Sequence, residues 1–382
     1  MHPAPVSAPW HALVVVTGVA TAAVTARSTL PSHRWWGALA LAGYTIAAVV
    51  ALSPARRWWP AVAVGLCGVV PLVVLVVGRS RGWHHVAQSE VDVIETAARR
   101  LLHHGTPYVR PADLDPTARA THYSYVPYLP LTAVAGLPRA LFGAGPLTDA
   151  RIWLAAADAV LWSAIWRRAT PVTRSALALV AASPLVTLPM AVGGHDVVIG
   201  SLVVLGALAS AVALGLAAGM TALAWPLVWP FATMGRAWRR TAVVIGVAVV
   251  TALPVLVDPP AAWANLVLFP LGRTPARSPA DAPSIGRLLA SFPGGRAIDL
   301  FGIALTVGVV AVGSLVRPAA DTSTAARRAA VAIAVLVALM PSSRVGYLLY
   351  PVALWALGWS LSPSATTRSG RPVPPPSRPA GR

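Results

Sequence analysis

Charged chemistry has few places to sit in this chain, which carries only 12 acidic residues among 382. Three of them, Glu90, Asp92 and Glu95, fall within six residues of the stretch S-E-V-D-V-I-E-T-A-A-R-R-L-L-H-H-G-T-P-Y-V. A carboxylate tuned by burial and neighbours can take a proton from a hydroxyl, which makes Glu90 and Asp92 candidates for a general base. The plainer alternative is the solvated acidic edge of a surface helix. Val91, Ile94, Ala98, Leu101 and Leu102 recur at helical spacing, and Gly105 with Pro107 ends the pattern. That predicts an amphipathic helix at the membrane surface, with Asp92 and Glu95 on one face and Glu90 on another.

Four other places hold polar groups against apolar surroundings. T-H-Y-S-Y-V-P-Y-L-P at 121–130 sets Tyr123, Tyr125 and Tyr128 at the entrance to a hydrophobic segment. They form either an interfacial aromatic belt or a surface on which a sugar stacks. G-G-H-D at 193–196 brings His195 and Asp196 to a membrane boundary, where they must be solvated or paired. A His–Asp pair alone is too little for a metal site. Asp158 lies inside W-L-A-A-A-D-A-V-L-W, as a functional acid or as one end of a helix-to-helix hydrogen bond. P-S-S-R-V-G-Y-L-L-Y-P at 341–351 isolates Arg344 between two apolar runs, and arginine suits bidentate contact with phosphate.

The elements that position these groups are legible from composition. The chain is 56% hydrophobic and 11% charged, whereas a soluble domain is about a quarter charged. Apolar runs lie near 11–26, 36–52, 59–78, 125–143, 149–166, 174–192, 196–233, 240–257, 298–316, 327–341 and 345–361. Crossing a bilayer takes about 20 apolar residues in a helix. The expectation is an all-α polytopic membrane protein with ten to twelve transmembrane helices. The run 196–233 reads as two helices turning near Ser210, or as one helix plus a re-entrant piece. Residues 1–361 form a single multi-pass domain with two long polar loops, 79–124 and 258–297. Residues 362–382, rich in Pro, Ser and Arg, are expected to be a disordered tail.

The net charge is +18, and every basic residue is arginine. The arginines sit mostly in short loops and the tail rather than in a compact basic domain. That excludes nucleic acid as a partner and points to membrane lipids. The positive-inside rule puts the arginine-bearing loops and the tail in the cytoplasm and both long polar loops outside. Arg167 and Arg168 land outside if 196–233 crosses twice. If it crosses once they land inside, and 125–143 must re-enter rather than cross. The single cysteine, Cys67, excludes an internal disulfide. Residues 1–10 lack a basic signal-peptide start, so the first hydrophobic segment is expected to be retained.

In order, the chain presents an acid, a small pair, L-L, Gly and Pro-Tyr108. Tyr and Pro then precede a hydrophobic segment, followed by the Gly-rich motif with Asp196, by G-L-A-A at 215–218 leading to A-W-P, and by S-R-x-G-Y-L-x-Y-P. This order, from about 88 to 351, resembles the polyprenol-phosphate-mannose-dependent mannosyltransferases of glycosyltransferase family 87, which have the GT-C fold. The resemblance implies inverting transfer of a sugar, mannose, from a polyprenyl-phosphate donor to a glycolipid or glycan acceptor on the outer face of the plasma membrane. It implies no cofactor and no obligatory metal. Glu90 or Asp92 would be the base, with Arg344 and His195 near the phosphate. Tyr108, Tyr123, Tyr125, Tyr128, Asp196 and Tyr347 would line the substrate path. Two departures stand out. The family's catalytic Asp falls on Glu90, and the Lys that usually follows G-L-A-A is replaced by Thr221. Two further readings are a transporter or lipid-handling protein without transfer chemistry, and an inactive family member.

Overall fold

The computed structural model describes residues 8–114, 122–274, 276, 280 and 282–362. Most of the expected tail, 363–382, lies outside them. All regular secondary structure among the described residues is helical, with no strand. Hydrocarbon offers no partner to a backbone N–H or C=O, so apolar runs of this length close their hydrogen bonds internally as helices.

The principal helices are α1 (Ala8–Thr25), α2 (Pro31–Leu52), α3 (Arg56–Ser80), α4 (Ser89–His104), α5 (Ala150–Arg168), α6 (Pro171–Ala181) and α7 (Pro184–Val192). There follow α8 (His195–Leu208), α9 (Ala211–Met220), α10 (Trp225–Ala232), α11 (Trp238–Leu256), α12 (Gly295–Val316), α13 (Thr322–Leu339) and α14 (Leu349–Ser360). Five of them, α2, α3, α11, α12 and α13, are each long and apolar enough to cross a membrane. The α6–α7 pair, bent by 56°, makes a sixth candidate span. The chain is a polytopic membrane protein.

Hydrogen bonds sort the helix ends into two groups. At one end the Gln88 N–H donates to Val192 O, the Gln88 side chain meets His33, and the Ala282 N–H donates to Ser343 O. Arg110 pairs with Asp258 there, so the two long polar loops meet at the same end. At the other end Arg174 donates to Trp166 O, Ser360 to Thr173, Ser323 to Gly358 O, and the Gly235 N–H to Ala319 O. Arg167 and Arg168 therefore lie at the same end as Arg236, Arg239, Arg317 and Arg327. The passes α1, α2, α3, α5, α6–α7, α8, α11, α12, α13 and α14 alternate in direction between these ends.

The run 196–233 breaks twice. Ser210 caps α9 by accepting the Ala213 N–H, at the turn the sequence predicts. A second break at Thr221 starts a short turn into α10. At 1.5 Å per residue α9 and α10 are only about 15 and 12 Å long, half of a hydrocarbon core of about 30 Å. Met220 O accepts from the Leu129 N–H and from Thr132, so α9 climbs toward the polar-loop end and α10 returns. This out-and-back pair, after the crossing by α8, is what lets Arg167 and Arg168 join the other arginines.

The apolar stretch 125–143 does not make a span. It forms a 3-10 turn, Pro130–Gly136, and a short helix, Leu137–Phe142. Pro127, Pro130 and Pro138 remove backbone donors that a longer helix needs. The stretch packs on α4, where Gly136 lies so close that a Cβ would come 2.6 Å from Ile94 O. Helix α4 is accordingly more deeply set than a surface helix. Val91, Val93, Ile94, Ala97 and Ala98 are buried, and so are Glu90 and Glu95.

Candidate active site

Two buried charge clusters meet at the polar-loop end. The first is built where α4, the α7–α8 turn and the segment before α14 converge. Gln88 fixes the entry to α4 through its bond to Val192 O. Gly194, at φ +111°, turns the chain from α7 into α8, a conformation that favours glycine. A Cβ at Gly193 would come 2.8 Å from Glu90 Oε1 and 2.9 Å from Gln88 Oε1, so any side chain there would displace both side-chain ends. This tight turn brings the His195 N–H to Glu90 Oε1 at 3.2 Å and His195 Nδ1 to the same oxygen at 2.9 Å. Arg344 Nη1 donates to Glu90 Oε2 at 2.9 Å. Tyr350 donates a hydrogen bond to Asp196. The Tyr128 ring packs 4.4 Å from the imidazole of His195, and Tyr108 donates to Tyr128 O. Glu90 is only 3% exposed. Burial alone would raise its carboxyl, but His195 and Arg344 overcome that and hold it below the usual carboxylate range.

The second cluster gathers around Arg79. Its guanidinium donates to Asp92 Oδ1 at 2.6 Å, to both oxygens of Glu95, and to Asp149 Oδ2 at 2.9 Å. Arg151, 0% exposed, grips Asp149 through Nε and Nη2. Its Nη1 donates to Val86 O at 3.0 Å and Ala191 O at 3.2 Å. Those carbonyls stand just before the segments that carry Glu90 and His195. Arg151 thus clamps the two halves of the first cluster together.

Burial would raise the Asp149 carboxyl, yet Arg151 and Arg79 hold it at about 2. Its folded value lies below the unfolded one. The ionised form therefore contributes stability that is complete above about pH 5 and is lost as pH falls toward about 2, worth on the order of 2 kcal/mol. Thermal unfolding in detergent should show a midpoint that drops across this window. Asp149→Asn should flatten that drop, and an undiminished drop in the variant would rule the assignment out.

One cavity of about 1410 Å³ opens onto the first cluster. Glu90, Asp196 and Arg344 line it at the polar end, with Gln88, His33 and Tyr123 nearby. From there it runs between α1 and the α13–α14 pair over the α6–α7 floor, down to Trp10 and Trp359. Its walls are mostly apolar, and at its edges Trp10 and Trp355 are each 55% exposed.

The cavity separates the residues singled out by sequence. Glu90, Arg344, Asp196 and Tyr123 face it. His195, 2% exposed, stands behind Glu90 and contacts it. Tyr128 stands behind His195, and Tyr347 lies beside Tyr350. Tyr125 is elsewhere, stacked 4.9 Å from Phe269 where the two long loops meet. Asp92 belongs to the Arg79 cluster and does not line the cavity. Asp158 accepts from Ser201 at 2.6 Å, a bond between α5 and α8. Thr221 caps the turn before α10 by accepting the Leu223 N–H. Gln88, His33, Arg79 and Arg151 carry no sequence pattern of their own; only their place in and around the two charge clusters gives them meaning.

Glu90, His195 and Asp196 each bring a ligand atom within 4.8 Å of the others, a spacing a cation could use. Their arrangement argues otherwise. Glu90 meets Nδ1 of the imidazole and Asp196 meets Nε2, so the carboxylates flank opposite sides of the ring. Arg344 and Tyr350 already occupy a carboxylate oxygen each.

Residues 125–343 match the sequence model for glycosyltransferase family 87. The match includes His195 and Asp196 and ends one residue before Arg344. No curated protein and no solved structure matches the chain.

Proposed function

The chain belongs to glycosyltransferase family 87 and is a membrane glycosyltransferase; from that premise we propose that it moves a sugar from a polyprenyl-phosphate donor held in this cavity to an acceptor hydroxyl, with Glu90 as base. The observation that carries the proposal is the joining of two unlike surfaces in one cavity. A carboxylate–guanidinium pair, buried at Glu90 and open to the cavity at Arg344, closes one end, and an apolar trough extends from it along α1 between Thr25 and Trp10. The fifteen helical steps from Trp10 to Thr25 span about 22 Å, room for several isoprene units below a phosphate held at Arg344.

In the transfer the acceptor oxygen attacks the anomeric carbon as its proton passes to Glu90. The bond from that carbon to the phosphate oxygen breaks, and the phosphate leaves with the electron pair toward Arg344. Arginine stabilises charge that grows on the leaving group. Attack opposite the leaving group inverts the anomeric centre. Asp92 is the weaker candidate for the base, because it is paired to Arg79 outside the cavity. Donor sugar and location follow the motif order and the arginine distribution: mannose, a glycolipid or glycan acceptor, and the outer face of the plasma membrane.

The test is transfer by purified protein in nanodiscs, supplied with radiolabelled polyprenyl-phosphate mannose and an alkyl mannoside. A product of inverted configuration is expected, at a rate unchanged by a chelator. Retained configuration would remove Glu90 from the role of base, and loss of rate with the chelator would restore a cation to the Glu90–His195–Asp196 group.

A further inference from the structure

Arg344 is bonded to the proposed base and also lines the cavity proposed to hold the donor phosphate. In the site as it stands Nη1 is committed to Glu90 Oε2. Glu90 Oε1 is meanwhile held by the backbone and the imidazole of His195. A carboxylate with all three partners in place is stabilised as the anion and is a poor proton acceptor. Nε and Nη2 of Arg344 make no hydrogen bond to a described residue, and Arg344 lines the cavity. A phosphate entering the trough meets that free edge in the fork geometry that suits it.

We infer that Arg344 is a shared arginine: it neutralises Glu90 while the cavity holds no lipid phosphate, and a lipid phosphate draws its charge away and turns Glu90 into the base. The donor would thereby arm the residue that activates the acceptor. Donor binding precedes productive acceptor binding, and the acceptor hydroxyl meets a competent base only where a leaving phosphate is present. After transfer the lipid phosphate departs with its extra charge, Glu90 gives its proton to water, and Arg344 returns to the carboxylate. His195 and Asp196 serve as the fixed part of the arrangement. The imidazole keeps Glu90 oriented while the arginine changes partner, and Tyr350 holds Asp196.

This inference rests on the proposed lipid-phosphate donor, and one titration tells the two apart. Protein in nanodiscs is titrated with geranylgeranyl phosphate and, in parallel, with geranylgeraniol. The readout is the fluorescence of Trp10, Trp355 and Trp359, which line the trough. Glu90→Gln removes the competitor for Arg344, so the variant should bind the phosphate roughly tenfold more tightly than wild type, with the alcohol unaffected. In Arg344→Met the same Glu90→Gln change should give no gain. Tighter binding of the phosphate by wild type than of the alcohol, with no gain in Glu90→Gln, would overturn the shared arginine and leave the donor assignment standing. Equal binding of phosphate and alcohol by both proteins would overturn both. A Glu90→Gln protein that unfolds would show it in its thermal midpoint, and Glu90→Asp then provides the second comparison. Its shorter arm loosens the hold on Arg344 and should give a smaller gain in the same direction.

Discussion

Replacing Glu90 with glutamine should lower kcat for sugar transfer by about 10³-fold, the middle of the range for loss of a general base. The substitution is nearly isosteric and keeps a carbonyl oxygen to accept the His195 N–H, which now reaches Glu90 Oε1 at 3.2 Å. What it removes is the ability to take a proton. The fold should survive, because Arg151 and Gln88 hold the two segments independently of Glu90. Asp92→Asn is the informative contrast. Asp92 is 45% exposed at its side chain and bonded to Arg79, so its loss should trim stability and leave kcat near that of wild type. Steady-state rates for both variants, beside their thermal midpoints, decide the matter. A dead Asp92→Asn with an active Glu90→Gln would move the base to Asp92.

Arg151→Met should be the most damaging single change to the scaffold, costing on the order of 3–5 kcal/mol. Arg151 has no exposure at all. Removing it leaves the carbonyls of Val86 and Ala191 without that donor and leaves Asp149 with only Arg79 as a charged partner. The expected outcome is a large fall in thermal midpoint and, in whatever protein remains folded, a loss of rate through misplacement of Glu90 against His195. Arg151→Lys keeps the charge but reaches fewer of the four acceptor atoms, so it should recover part of the stability and less of the rate. Full activity in Arg151→Met would show that the Gln88–Val192 bond alone keeps the segments in register.

The helical, membrane-embedded architecture was readable from the sequence because it depends on additive quantities. Apolar length and scarcity of charge survive any rearrangement in space. The end of α4 was readable for a local reason: Gly105, at φ +71°, stops it where the pattern stops. The stretch 125–143 left two alternatives open, crossing or re-entering, because its apolar length argued for a span while its prolines shorten any helix and α4 supplies a protein surface to bury it. The candidate site was half legible. Glu90, His195, Asp196 and Arg344 were each conspicuous as polar groups in apolar surroundings, but nothing in the chain says that residues 90, 195 and 344 are neighbours. Asp92 looked as good as Glu90, since which of two nearby carboxylates faces a cavity depends on helix rotation. Arg79 and Arg151 resembled any other arginine at a helix end. Their significance comes from burial, which is a property of the assembled bundle.

The trough along α1 has exposed tryptophans at its margins, Trp10 on one side and Trp355 on the other. The tail of the polyprenyl-phosphate donor proposed above would then enter sideways, with most of it dissolved in the surrounding lipid. The encounter that matters then takes place in two dimensions. Bulk molarity is the wrong measure of supply, and the mole fraction of donor in the membrane is the right one. Adding inert phospholipid at constant donor and enzyme should slow the reaction by surface dilution, while diluting the whole vesicle suspension with buffer should leave the turnover of each enzyme unchanged.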